Sequence, residues 1–403
     1  MKLWPFGGGA RTDRVSVAGT ALPEQKQSRT ASMIALQVTG QPAWTPRDYR
    51  ALSVEGFQRN AIVYRCVRMI SEAAASLSFL LYDGRRDLDE HPLLQLLEEP
   101  QPGVSGTDLM ESWYGYLMIS GNAYLELVSV DGTPRELYAL RPDRVKVVPG
   151  ARGWPEAYDY SVGGRTVRIH GEGPQALPPV LHMRLFHPGD DHYGMSPLEA
   201  AAVAVDVHNG SAAWHKALLD NAARPSGALV YRGDGNLTTE QFDRLKHELA
   251  ESYAGAGNAG RPLLLEGGLS WESLSLSPQE MDFLQAKHAA AREIALAFGV
   301  PPMLLGIPGD NTYANYREAN LSFWRQTVLP LGRRTARAFS RFLAPRYGGK
   351  LRLDVDIDQV DALNSEREAL WTRLKDADFL SDDEKRAAVG YGPLGDGAGG
   401  VDE

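Results

Sequence analysis

The sequence predicts a multi-domain α+β protein, and three observations predict it. Two stretches begin alike, Ser196-Pro197-Leu198-Glu199 and Ser277-Pro278-Gln279-Glu280, and each opens a long run with few helix breakers. A strand-rich stretch lies before the first of them, between about residues 123 and 184. Between the two runs sits an insert, 224–276, with strand and helix signals of its own. The chain has 403 residues, enough for two or three domains.

Taken in order, residues 1–48 are rich in Gly, Ser, Thr, Gln and Pro and read as a mobile arm. From 55 to 77 the pattern turns helical, with Ile62, Val63, Cys66, Met69, Ile70 and Ala73 on one apolar face. Leu77-Tyr82 then reads as a strand that stops at Asp83-Gly84. A short helix is predicted over His91-Glu98 and a stronger one over Asp108-Ser120, closed by Gly121-Asn122. Ala123-Val130 and Glu136-Leu140 flank Asp131-Gly132, the signature of a hairpin. Arg144-Val148, Tyr158-Ser161, Thr166-Ile169 and Val180-Arg184 are further short strands. The block 49–195 is therefore α+β, helical first and strand-rich second.

The two S-P-x-E stretches explain the long helices. Ser196 and Ser277 are good N-caps, Pro197 and Pro278 suit the first helical position, and Glu199 and Glu280 stand where a carboxylate reaches back to the cap. The first helix is predicted from Pro197 to about Ala223, with Gly210 its weak point; the second runs from Pro278 to Phe298 and stops at Gly299-Val300-Pro301-Pro302. At 1.5 Å per residue they are roughly 40 and 31 Å long. The insert reads as strand (Ala228-Tyr231), helix (Thr238 to about Tyr253, with Thr238 and Gln241 as a capping box) and strands (Leu263-Leu265, Trp271-Leu274). After a loop to Asn315, a third long helix is predicted from Tyr316 to Leu343. Leu321, Trp324, Val328, Leu331, Thr335, Ala338 and Phe342 form its apolar arc, and Pro330 should kink it. Leu351, Leu353, Val355 and Ile357 alternate with polar residues as a half-buried strand, and helices follow over Ser365-Lys375 and after Ser381.

The totals exclude several function classes. Net charge is −9, which argues against tight nonspecific wrapping of nucleic acid but not against nucleic acid passing through without sticking. One cysteine, Cys66, rules out an internal disulfide framework. No membrane span is expected, since no window of about 18 uninterrupted apolar residues exists, and Met1 to Gly9 lacks the apolar core of a signal peptide.

Candidate chemistry is sparse. Gly255-Ala256-Gly257-Asn258-Ala259-Gly260 matches G-x-G-x-x-G in letters, yet it follows a helix and precedes a strand, the reverse of a dinucleotide site. No P-loop, G-x-S-x-G or H-E-x-x-H is present. His182, His187, Asp190, Asp191 and His192 form the one dense group of metal-type ligands, and a metal-dependent hydrolase built on them is the runner-up function. Turn chemistry already explains the Pro, Gly and Asp of that segment. Asp354, Asp356 and Asp358 fail as a calcium loop, because Gln359 and Ser365 stand where glycine and glutamate are needed. No cofactor and no metal are expected. Arg333, Arg334, Arg337 and Arg341 lie opposite the apolar arc of the third helix: either a solvated face, or an interface to a neighbouring subunit's acids or to DNA phosphates.

Five segments together carry a resemblance: His91-Pro92-Leu93-Leu94; Gly121-Asn122-Ala123-Tyr124; Tyr193-Gly194-Met195-Ser196-Pro197-Leu198; Ala295 to Pro302 with Leu304-Leu305-Gly306; and Thr327-Val328-Leu329-Pro330. In this order the chain resembles the portal proteins of tailed double-stranded-DNA phages, and its short length is similar to the portal of a gene transfer agent, a phage-derived particle. The resemblance implies a ring of about twelve chains around a channel, and no catalytic residues. It implies a wing over 49–195, stem helices over 196–223 and 277–300, and a clip over 224–276. A tunnel loop and helix would fill 301–347, a strand returning to the wing 348–362, a small crown 363–390 and a flexible tail 391–403. Ser196, Pro197, Glu199, Ser277, Pro278, Glu280 and Gly299 would set the stem ends. Asn311, Thr312, Tyr313, Asn315, Arg317 and Arg325 would belong to the channel. The implied partners are further copies of the chain, DNA in the channel, the major capsid protein, the terminase that hydrolyses ATP, and a head-tail adaptor. The implied place is the head-tail junction of a virion or phage-like particle assembled in the bacterial cytoplasm.

Overall fold

Asn60 decides where the first long helix begins. A single turn, α1 (Tyr49–Leu52), is capped by the Asp48 carboxylate and passes into a π-helical stretch, Ser53–Gln58. Asn60 is extended, and its Oδ1 accepts from the N–H groups of Ile62 and Val63, so α2 (Ala61–Ala75) starts there rather than at residue 55. The computed structural model describes residues 44–84, 86–171, 177–220, 227–232, 238–253, 269–273, 283–308, 313–389 and 391. Strand β1 (Phe79–Asp83) follows, then a short strand the periodicity does not show, β2 (Arg86–Leu88). Helix α3 (Pro92–Glu98) is capped by the His91 ring, whose Nδ1 accepts from the Leu93 N–H. Helix α4 (Gly106–Ser120) opens on a reciprocal capping box of Ser105 and Asp108.

The strand-rich half forms two antiparallel three-stranded sheets. β3 (Asn122–Val130) and β4 (Thr133–Leu140) make the expected hairpin, with Asp131 and Gly132 at positive φ in the turn. β5 (Val145–Pro149), β6 (Pro155–Val162) and β7 (Arg165–His170) form a meander, while β8 (Val180–Arg184) adds to β3, giving the order β4-β3-β8 and leaving one side of β8 as a sheet edge.

The next helix is broken where the sequence shows no breaker. α5 (Pro197–Ala200) ends at Ala201, and α6 (Ala202–Asp220) then runs through Gly210 without interruption. The insert contributes β9 (Gly227–Tyr231), α7 (Thr239–Tyr253) and β10 (Leu269–Ser273), with β9 and β10 paired antiparallel. The expected strand at 263–265 and the glycine run at 255–260 lie outside the described residues. Helix α8 (Phe283–Phe298) leads to a 3-10 turn, Pro302–Leu305. The third long helix is segmented. It comprises α9 (Tyr313–Phe323), a π turn (Trp324–Val328) and α10 (Leu329–Leu343). β11 (Leu351–Val355) returns to pair antiparallel with β1, so that β1 lies between β2 and β11. Helices α11 (Asn364–Lys375) and α12 (Asp382–Val389) complete the described chain.

A main core joins α1–α6 and α8–α10 with β1, β3, β4, β8 and β11, while the β5–β7 meander packs on Tyr124, Leu140 and Val180 in a second, smaller cluster. α10 lies on β11 and supplies Phe339, which meets Trp113 of α4 edge-on at 5.3 Å and Phe79 of β1 at 6.0 Å. Trp113, Phe339, Ile70, Leu81 and Leu117 are fully buried. Cys66 is buried in the same core, and burial pushes its thiol up to about 12. The chain is anchored before residue 49: the Asp206 carboxylate of α6 accepts from both the N–H and the hydroxyl of Thr45, so the expected arm does not extend to residue 48. No helix among the described residues is long and apolar enough to cross a membrane.

Candidate ring-contact and channel elements

The base of the long helices is built where two glycines cross. Gly121 ends α4 at φ +74°, and a Cβ there would lie 2.5 Å from the Gly194 carbonyl oxygen. Asn122 locks the crossing. Its Oδ1 accepts from the Gly194 N–H at 2.8 Å and from His182 Nε2–H at 3.0 Å, and its Nδ2 donates to the Ser120 carbonyl at 2.9 Å. The His182 ring stacks on Tyr124 at 4.2 Å and meets Tyr158 edge-on at 5.8 Å. Burial, helped by Arg184 and His192, pulls the imidazole down to about 3, so it is neutral.

The rest of the 182–192 segment is a turn. Asp190 Oδ1 accepts from the N–H groups of His192 (2.7 Å) and Tyr193 (2.9 Å); burial opposes its charge, but these two donors hold the carboxyl below its usual range. His187 Nδ1 accepts from the Gly189 N–H. His182 faces the core and Asp190 faces its own backbone, so the candidate ligands are not brought together. Among the described residues no three His, Cys, Asp or Glu side chains converge in a way that holds a metal. The turn delivers Ser196, which is buried and accepts from the Glu199 N–H at 2.9 Å, with Pro197 at the first helical position.

From this base α6 and α8 run side by side. Ala202, Ala204 and Val205 on α6 and Ala290 and Ile294 on α8 are buried in the main core, while Ala291 and Ala295 on α8 pack on Ile307. Other flanks are apolar and uncovered: Val203 is 47% exposed, Leu284 59% and Leu296 79%. Ser277, Pro278 and Glu280 lie outside the described residues. Gly299, at φ +68°, terminates α8, and its carbonyl accepts from the Thr327 hydroxyl at 2.6 Å. A Cβ on Gly299 would come within 2.9 Å of that hydroxyl.

Of the expected channel residues, Asn311 and Thr312 lie outside the described residues, and Tyr313 is described only as the first residue of α9. Asn315 and Arg317 are exposed on α9. Arg325 is exposed but ion-paired with Glu366 of α11 at 2.5 Å, so its charge is met within the chain. Further along, Arg333, Arg334, Arg337 and Arg341 are exposed on α10 and line a cleft of about 780 Å³ against β8. None of the four forms an ion pair among the described residues.

The family model described as phage portal protein matches residues 61–390. The chain belongs to the phage portal protein family. Its similarity to the portal fold extends to solved structures. One, from the neck of an empty gene transfer agent (GTA) particle computed with C6 symmetry, is 52% identical, with a TM-score of 0.69, 88% of this chain covered and 96% of the other. Another, from the neck of the native GTA particle computed with C12 symmetry, is 51% identical with a TM-score of 0.66 and the same coverage. The "Probable portal protein" of Streptomyces phage phiC31 is 28% identical over 350 residues, 84% of this chain and 76% of its own length.

The five segments that carry the portal resemblance have physical roles, and four of them meet in pairs. Gly121-Asn122 crosses Gly194, and Gly299 bonds Thr327. The fifth, at His91, caps α3 and sets its ring edge-on to Tyr347 at 5.4 Å. Asn122 and Thr327 as locking residues escape a reading of local spacing, because their partners are far away in sequence. The one local signal for Asn122 is its place directly after a helix-ending glycine.

Proposed function

We propose that this portal-family chain assembles into a closed ring at the head-tail junction of a phage-like particle, with double-stranded DNA passing through the ring during filling and release. The observation that carries the ring is the uncovered apolar flank of the α6–α8 pair, at Val203, Leu284 and Leu296. Long helices packed on one side only have to bury the other against something, and further copies of the same pair, arranged around an axis, supply it. A relative's neck computed with C12 symmetry supports a ring of about twelve chains. On this reading 49–195 with β11 is the wing, α5–α6 and α8 the stem, 224–276 the clip, 301–347 the tunnel segment and 363–390 the crown. The major capsid protein surrounds the ring, terminase docks during filling and supplies ATP hydrolysis, and a head-tail adaptor later meets the clip. The chain itself performs no catalysis.

Charge fits a conduit. Twelve chains at −9 carry roughly −108, and a like-charged wall lets DNA slide rather than stick. Asn311, Thr312, Tyr313, Asn315 and Arg317 form the channel-side segment in this proposal, with Arg325 held back by Glu366.

Negative-stain imaging and native mass of the purified chain test the ring: closed rings of about twelve support it, and a monomer at high concentration rejects it. Replacing Asn311, Thr312 and Tyr313 together is expected to impair DNA filling while rings still form. Normal filling would remove that segment from the channel.

A further inference from the structure

The cleft beside α10 has a composition that selects its occupant. Arg333, Arg337 and Arg341 recur every four residues, so they stand about 6 Å apart along one side of the helix. Arg184 and Arg334 join them near the end of β8, where Arg334 donates to the Arg184 carbonyl. The cleft's open lining is apolar: Leu181 and Ala338 are half-buried there, and Pro178 and Pro330 are exposed. A run of phosphates would use the charged rim and leave that lining wet. The matching group is apolar at its centre and acidic around it.

The chain carries such a group elsewhere. Between α11 and α12 runs Asp376-Ala377-Asp378-Phe379-Leu380-Ser381-Asp382. The Ala377 N–H donates to the Leu374 carbonyl at 3.2 Å, Ala377 is buried, and Ser381 with Glu384 caps α12, so the turn is fixed at both ends. At its apex Phe379 is 86% exposed, with Asp376, Asp378 and Asp382 exposed about it.

Resting on the ring reading above, we infer that the Phe379 turn of one subunit seats in the arginine-rimmed cleft of the next. The phenyl ring covers Leu181, Ala338 and the flanking prolines Pro178 and Pro330, and the flanking carboxylates meet Arg337, Arg341 and their neighbours. The two surfaces differ, so the contact is heterologous, the type that closes a ring by repetition. A buried aromatic anchor surrounded by Arg–carboxylate pairs is the composition of an interface hot spot. Charge complementarity explains why a chain of net −9 keeps these arginines without an ion-pair partner among the described residues.

The test uses the full-length chain, with ring fraction read by native mass over a concentration series and folding checked by circular dichroism. Phe379→Ala, a surface substitution, is expected to raise the concentration for half-assembly by tenfold or more, roughly the factor expected for losing one anchor. Arg337→Glu with Arg341→Glu, or Asp378→Arg with Asp382→Arg, is expected to abolish rings, and the four changes in one chain to restore them. Wild-type assembly by Phe379→Ala, or no recovery in the combined variant, overturns the inference while leaving the ring reading in place. If the Arg337/Arg341 variant assembles normally and loses only DNA filling, the cleft holds DNA and the inference is equally overturned. A wild-type chain that forms no rings sinks both.

Discussion

Asn122 joins three parts of the fold through one amide. It bonds Gly194, His182 and Ser120, and it is buried, so Asn122→Ala leaves a buried N–H and an imidazole without their acceptor. The expected cost is about 2–4 kcal/mol, read as a shift in the urea midpoint. Gly121→Ala is expected to cost about 3 kcal/mol, because it combines a positive φ with a clash against backbone that has no room to move. His182 gives a pH signature. Its ordinary value is 6.5 and its folded value about 3. As pH falls below about 6.5 the unfolded chain takes up a proton that the folded chain refuses until about 3. Stability is therefore intact above that window and lost progressively through it. In His182→Gln, urea midpoints measured from pH 7 to pH 4 should fall less steeply than in the wild-type chain.

The α9–α10 segment shows how one element can defeat a single periodicity. An arc at 100° per residue places Leu321, Trp324 and Val328 inward; Val328 is fully buried as expected, but Leu321 and Trp324 are only half-buried, and Phe323, five residues before Val328, is buried instead. Five is the spacing of a π turn, and Leu329 N–H bonds the Trp324 carbonyl accordingly. The wide turn also places Pro330, which lacks an N–H, in the first turn of the following helix, where no donor is needed. After it the buried stripe runs through Leu331, Thr335, Phe339 and Phe342. The turn is pinned to the end of α8 by Thr327. Thr327→Val is expected to cost about 1 kcal/mol in urea unfolding, since the Gly299 carbonyl keeps access to water.

At the scale of the whole molecule the test is whether the exposed flanks matter only between copies. Leu296 projects into solvent at the side of α8, so Leu296→Asp should leave the stability of the isolated chain within about 0.5 kcal/mol. The same change buries a carboxylate if copies pack there, and ring yield by native mass should collapse. Equal ring yield would move the contact between copies to another face. Helix α11 and Tyr391 are tied to the segment after β11 through Asp358, which pairs with Arg367 of α11 and accepts from the Tyr391 hydroxyl at 2.6 Å. Those contacts give the 376–382 turn a fixed footing.

The chain by itself determined what depends on neighbours a few residues apart. The caps at Ser196, Thr238 and Ser381, the stops at Gly121 and Gly299, the hairpin at Asp131-Gly132 and the half-buried alternation of β11 are all present as predicted. Each is a local bond or a local φ preference, so spacing is enough to show it. Only the tertiary structure decided that β11 pairs with β1, that Arg325 is met by Glu366, that His182 belongs to the core, and that α5 and α6 separate at Ala201. These outcomes come from burial and hydrogen bonding summed over distant segments, where a side chain's partner is set by which surfaces meet and not by its position in the chain.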